Sequence, residues 1–151
     1  MREFRATQCG IALATDFTLS DAIPLRGIMP DATDTLRAFL AAFNAHDLDT
    51  IVSFFADDCE LYTPRGTEPS GTGYAGKIAV RAGLATRFAG IPDVHYGEDT
   101  RWMSGSHGVS TWLRTGTATT GEPLRVRGVD LLEFREGKIV KKDSYWTILE
   151  K

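Results

Sequence analysis

From residue 32 onward the chain switches between two hydrophobic periods, and the switches outline the fold. Leu36, Phe39, Leu40 and Phe43 recur at i, i+3, i+4 and i+7, the stripe of an amphipathic helix. It follows Pro30, has Asp31, Thr33 or Asp34 available as a cap, and stops at Asn44-Ala45-His46. Asp47 is placed to cap a second helix whose stripe is Leu48, Ile51, Val52 and Phe55, ending near Asp57-Asp58. Cys59 to Thr63 alternates briefly as a strand before Pro64, then gives way to a Gly/Pro/Thr loop reaching Gly76. A third helix carries Val80, Leu84, Phe88 and Ile91 on one face and is ended by Gly90 and Pro92. Beyond Pro92 the period is two. Val94–Met103, Val109–Thr119, Leu124–Phe134 and Ile139–Leu149 read as strands separated by turns at 104–108, 120–122 and 135–137.

Helix, helix, strand, helix and a four-stranded meander make an α+β layout, in which a cone-shaped, curved antiparallel sheet wraps over about three helices. A conical pocket is expected on its concave side, suited to a small hydrophobic ligand. Residues 1–31 have Pro24, Gly27 and Pro30 but no sustained period, and read as an N-terminal arm preceding a domain at 32–151.

One polar residue interrupts the buried face of the third long strand. Val126, Gly128, Asp130, Leu132 and Phe134 share one side of the pleat, with Arg125, Arg127 and Glu133 on the other. A carboxylate on the buried face must find hydrogen-bond partners or take up a proton, and either outcome makes Asp130 a candidate acid or base. A structural Asp, bonded to a neighbouring strand or turn, fits the same pattern.

Composition narrows the partners. A net charge of -3 gives no footprint for nucleic acid, and no stretch approaches a membrane span. Arg2 and Arg5 precede an apolar run at 9–14 that is too short for a secretory signal, so a cytoplasmic protein is expected. Cys9 and Cys59 form no CxxC pair and lie near no His at ligand spacing, and the three His are scattered; neither a disulfide nor a metal site is expected. Residues 71–77, GTGYAGK, satisfy GxGxxG, but no strand precedes them and Ile78 stands where a phosphate loop needs Ser or Thr. No nucleotide cofactor is expected. Arg114 and Arg127 could neutralise a carboxylate ligand, although on strands with a solvated face they are expected to point outward.

FLAAFNAHDLDTIVSFFADDCELYTP, the Gly76-Lys77 helix start and GVDLLEFREGKIVKKDSYW resemble the nuclear transport factor 2-like superfamily. Within it they are most similar to the SnoaL-like polyketide cyclase and ketosteroid isomerase group, over Leu36 to Lys151. The resemblance places Asp130 near the acid/base Asp of SnoaL-like cyclases. In limonene epoxide hydrolase-like relatives Tyr62 would match a water-holding tyrosine, but the Asn expected two residues later is Pro64. Asp143 in Asp143-Ser144-Tyr145 stands one place out of register with those relatives' Asp, which turns it to the opposite face unless a bulge intervenes. These departures point away from epoxide hydrolysis.

The expectation is therefore a cofactor-independent acid/base enzyme acting on a small hydrophobic carbonyl compound. Asp130 removes a proton α to the carbonyl, and Tyr62 or Tyr145 stabilises the enolate. Phe39, Phe43, Trp112, Leu132, His95 and Trp146 are the expected ligand contacts. A homodimer through the meander is expected, because long apolar strands exceed what the helices can cover. The alternative is a non-catalytic ligand-binding or dimerising domain of the same fold.

Overall fold

The computed structural model describes residues 32–149; the N-terminal arm, Cys9 and the proposed Asp31 cap lie outside the described residues. The elements are α1 (Ala32–Asn44), α2 (Leu48–Ser53), β1 (Phe55–Thr63), β2 (Thr72–Ala75), α3 (Gly76–Gly90), β3 (His95–Ser104), β4 (His107–Thr117), β5 (Pro123–Arg135) and β6 (Lys138–Trp146). One six-stranded sheet has the order β2-β1-β6-β5-β4-β3. The meander β3 to β6 is antiparallel throughout, whereas β1 lies parallel to β6, so the sheet is mixed. Among the described residues no helix is long and apolar enough to cross a membrane.

The helical stripes bury as their spacing dictates. Leu36, Phe39 and Phe43 from α1, Ile51 from α2, and Val80 and Leu84 from α3 form the core with Phe55, Leu61 and Ile139 of the sheet. Phe39 meets Phe43 and Phe55 edge to face, with centroids 5.0 and 5.7 Å apart. The Asp47 carboxylate accepts from the Thr50 amide at 3.1 Å, the cap expected for α2. Asn44 ends α1 by clasping β3: its side chain donates to the Tyr96 carbonyl at 2.9 Å and accepts from the Tyr96 amide at 2.8 Å. That clasp fixes Tyr96 inside the cone.

Two boundaries differ from the periodicity. α2 stops at Ser53, because Lys138 Nζ and the Ile139 amide donate to the carbonyls of Ser53 and Phe54. Tertiary pairing thus takes acceptors that would serve another helical turn, and Phe55 reaches the core from β1. The short edge strand β2 forms inside the Gly-rich stretch read as loop, by pairing with Glu60–Thr63 of β1.

A third irregularity matters more for function. Phe134 pairs with Ile139 but Glu133 pairs with Lys141, so Val140 is an extra residue bulged out of the β5–β6 ladder. Beyond it the faces of β6 exchange, and Lys142 and Ser144 point inward where Lys141, Asp143 and Tyr145 would have done.

Gly128 lies under the Trp112 indole, and a Cβ there would come within 2.1 Å of the ring. Trp112 is buried and cannot yield freely. Gly128→Ala is expected to destabilise the fold by about 1–3 kcal/mol through overpacking; an unchanged urea midpoint would show that the indole has room to move.

Candidate active site

Asp130 comes inward from β5 and is buried, as the alternation of that strand requires. Directly across the ladders lie Ser110 on β4 and Ser144 on β6, so the carboxylate sits in a row between two hydroxyl-bearing residues. Ser144 Oγ donates to Asp130 Oδ1 at 2.8 Å, and Lys142 Nζ reaches the same oxygen at 2.6 Å and Ser144 Oγ at 2.7 Å. Both contacts converge on Oδ1. Oδ2 carries neither of them, and Asp130 lines a cavity whose apolar walls are Leu36, Phe39, Leu40, Phe43, Tyr96 and Leu132 and whose polar ones include Arg87, Ser110 and Lys142. Burial pushes the Lys142 ammonium below the ordinary lysine range, with Asp130 pulling the other way.

This inner cavity measures only about 10 Å³, near the lower limit for one water. A larger chamber of about 570 Å³ opens above it between α3, the β1–β2 edge and the ends of β4 and β5. Arg87 lines both spaces. Its Nη1 donates to Tyr96 Oη at 3.3 Å, leaving the phenol's own proton for another acceptor. Arg114 and Trp146 also line the chamber, and the Arg114 guanidinium lies 4.5 Å from the Trp146 ring centroid. Burial pulls Arg114 below its usual range, against the opposing effect of Tyr96.

Phe39, Phe43 and Leu132 stand around Asp130, and Trp146 stands in the outer chamber. Trp112 instead packs behind the cavity, edge to face with Tyr96 at 5.2 Å. His95 is exposed: its neighbour Tyr96 takes the inward position, so the pleat turns His95 away. The structure does not bring Tyr62 or Tyr145 to Asp130. Tyr62 shares the outer face of β1 with Glu60, to which it donates at 3.1 Å, and that carboxylate holds the phenol above its ordinary range. Tyr145 behaves likewise with Asp143 at 3.0 Å, because the Val140 bulge has turned both outward. Arg127 points outward to Glu98, as expected, but Arg114 is buried on the concave side opposite Tyr96.

Lys142, Tyr96 and Arg87 are the site residues that the sequence alone did not single out, and Arg114 was expected to point outward. Lys141-Lys142 did hold a clue, since adjacent residues of a strand face opposite ways and one lysine had to turn inward. Cys59 is buried and its thiol is pushed up by burial, which makes it a packing residue rather than a nucleophile.

With the cone and its carboxylate described, the relationship to known proteins is direct. Residues 36–142 match the SnoaL-like domain family, and the chain belongs to it, within the nuclear transport factor 2-like superfamily. A cystatin-fold protein from Novosphingobium aromaticivorans is 31% identical, with 76% of this chain and 97% of that chain covered and a TM-score of 0.62. A Xanthomonas campestris protein provisionally named a polyketide cyclase is 19% identical, covering 77% and 90%, with a TM-score of 0.69. A Catenulispora acidiphila protein with a ketosteroid isomerase-like fold, solved with trimethylamine, is 20% identical, covering 79% and 87%, with a TM-score of 0.67. These last two likenesses are of fold.

Proposed function

We propose that the protein is a cofactor-independent acid/base enzyme, a cyclase or isomerase that abstracts a proton α to the carbonyl of a small hydrophobic substrate. The observation that carries this reading is the asymmetry of Asp130: Lys142 and Ser144 both hold Oδ1 and leave Oδ2 without either, on a residue that lines an inner cavity with Leu36, Phe39, Leu40, Phe43 and Leu132. In the step, Oδ2 takes the α-proton and the C–H electron pair moves into the enolate. Tyr96 Oη donates to the enolate oxygen, with Arg87 behind it, in the role first assigned to Tyr62 or Tyr145. Return of the proton at a second carbon shifts a double bond; attack of the enolate carbon on a second carbonyl closes a ring. Neither outcome changes the oxidation level. Substrate enters from the outer chamber, which meets the inner cavity at Arg87.

The narrowness of the inner cavity favours a second reading, a ligand-binding domain in which the Asp130–Lys142 pair is structural. Proton exchange separates the two. Wild-type protein incubated in D₂O with 2-tetralone and related apolar ketones is expected to speed deuterium incorporation at the α-carbon, followed by NMR. Exchange no faster than in buffer, across ketones shown to bind, would leave the binding reading in place.

We also infer a homodimer through the outer face of the meander, where Trp102 on β3, Leu131 on β5 and Tyr145 on β6 are exposed large apolar residues. Sedimentation velocity is expected to give a dimer at micromolar concentration and a monomer for Leu131→Asp. A wild-type monomer would end that proposal.

A further inference from the structure

We propose that the outer chamber binds a carboxylate carried on a planar apolar ligand, with Arg114 as its anchor. Arg114 is 5% exposed, yet its Nε has no hydrogen-bond partner. Trp112, beside it at 5.9 Å from the guanidinium carbon to the ring, is 2% exposed and its Nε1 is equally unpartnered. Buried donors without acceptors are costly, and an acceptor-bearing ligand in the chamber accounts for that of Arg114, which lines it. Charge points the same way. Arg65, Arg87 and Arg114 all line the chamber, and among the described residues none of the three is ion-paired with a carboxylate. The acid in the lining is Glu122, exposed at the rim, while Asp130 below is matched by Lys142.

The shape of the anchor selects the kind of anion. One face of the Arg114 guanidinium is covered by Trp146, so its edge is what remains for recognition, and a guanidinium edge matches the two coplanar oxygens of a carboxylate. Tyr74, Ile91, Leu124 and Trp146 supply apolar walls for the body that bears it. The proposal goes beyond the acid/base reading and stands whether or not Asp130 moves a proton. It adds a polar end to the ligand and an orientation, acid group outward and apolar portion toward Asp130.

Isothermal titration of the full chain with 2-naphthoate and with 2-naphthamide tests it. The acid is expected to bind about ten- to a hundredfold more tightly than the amide, the loss expected for one hydrogen bond to a charged group. The preference should shrink in high salt. Arg114→Gln should abolish it, and Arg114→Lys should keep part of it if the glutamine variant proves poorly folded. In wild-type protein, the Trp112 indole N–H signal should shift with naphthoate. Equal binding of acid and amide, or no binding of either at millimolar concentration, overturns the proposal; inorganic phosphate competing as well as naphthoate would overturn the choice of a carboxylate. None of these readouts involves turnover, so failure of the proton-exchange assay and failure here are separate results.

Discussion

Asp130→Asn is expected to slow α-proton exchange by about 10²–10⁴-fold, the usual cost of losing a positioned proton-transfer group. The amide keeps the outline of the side chain and can still accept from Ser144, but it cannot take the substrate's proton. It also leaves the Lys142 ammonium buried without a counter-charge, so exchange must be measured on variant protein shown to be folded by near-ultraviolet circular dichroism. The pH dependence of stability supplies an internal check. Burial already depresses Lys142, and without the opposing carboxylate it falls further. Between that folded value and the unfolded value of about 10.4 the unfolded chain binds more protons, so stability rises with pH across the window. The rise should be larger in Asp130→Asn than in wild type. A variant whose exchange rate equals that of wild type would remove Asp130 from the chemistry.

Lys142→Met is expected to cost about 3–5 kcal/mol in urea denaturation, because it strands Asp130 as an unpaired buried charge. The corresponding exposed pair, Lys141 with Glu133 at 3.9 Å on the outer face, should tolerate Lys141→Met with a loss below about 1 kcal/mol. Replacing both partners, as Asp130→Leu with Lys142→Met, should recover most of the stability while exchange stays lost. If the double variant is as unstable as the single one, the pair is more than a matched charge in an apolar wall.

Much of this architecture was legible in the sequence, for reasons that can be localised. Leu36, Phe39, Leu40 and Phe43 reported α1 because nothing competes with a 3.6-residue period backed by a core. Asp130 was found because β5 keeps an unbroken two-residue alternation from Val126 to Leu132. The misplacements arose where contacts distant in sequence decide the outcome. α2 is cut short by donors from β6, and β2 exists because β1 offers it an edge. Tyr145 and Lys142 changed places on account of one bulged residue that no local pattern announces. Arg114 was named as able to neutralise a carboxylate but expected on a solvated strand face, whereas cover from Trp146 and Trp112 lets a guanidinium lie inside.

The bulge at Val140 makes β6 a strand with two reading frames. In the frame observed, Lys142 and Ser144 frame the carboxylate; in the unbulged frame, with Val140 paired opposite Glu133, Asp143 would stand opposite Asp130 and Tyr145 opposite Gly128. Closing the bulge would thus exchange an ammonium and a hydroxyl for a second carboxylate and a phenol, with no substitution anywhere along the strand. For a scaffold of this kind, the opening or closing of one bulge is a route from one reaction chemistry to another that comparison by substitution alone would overlook.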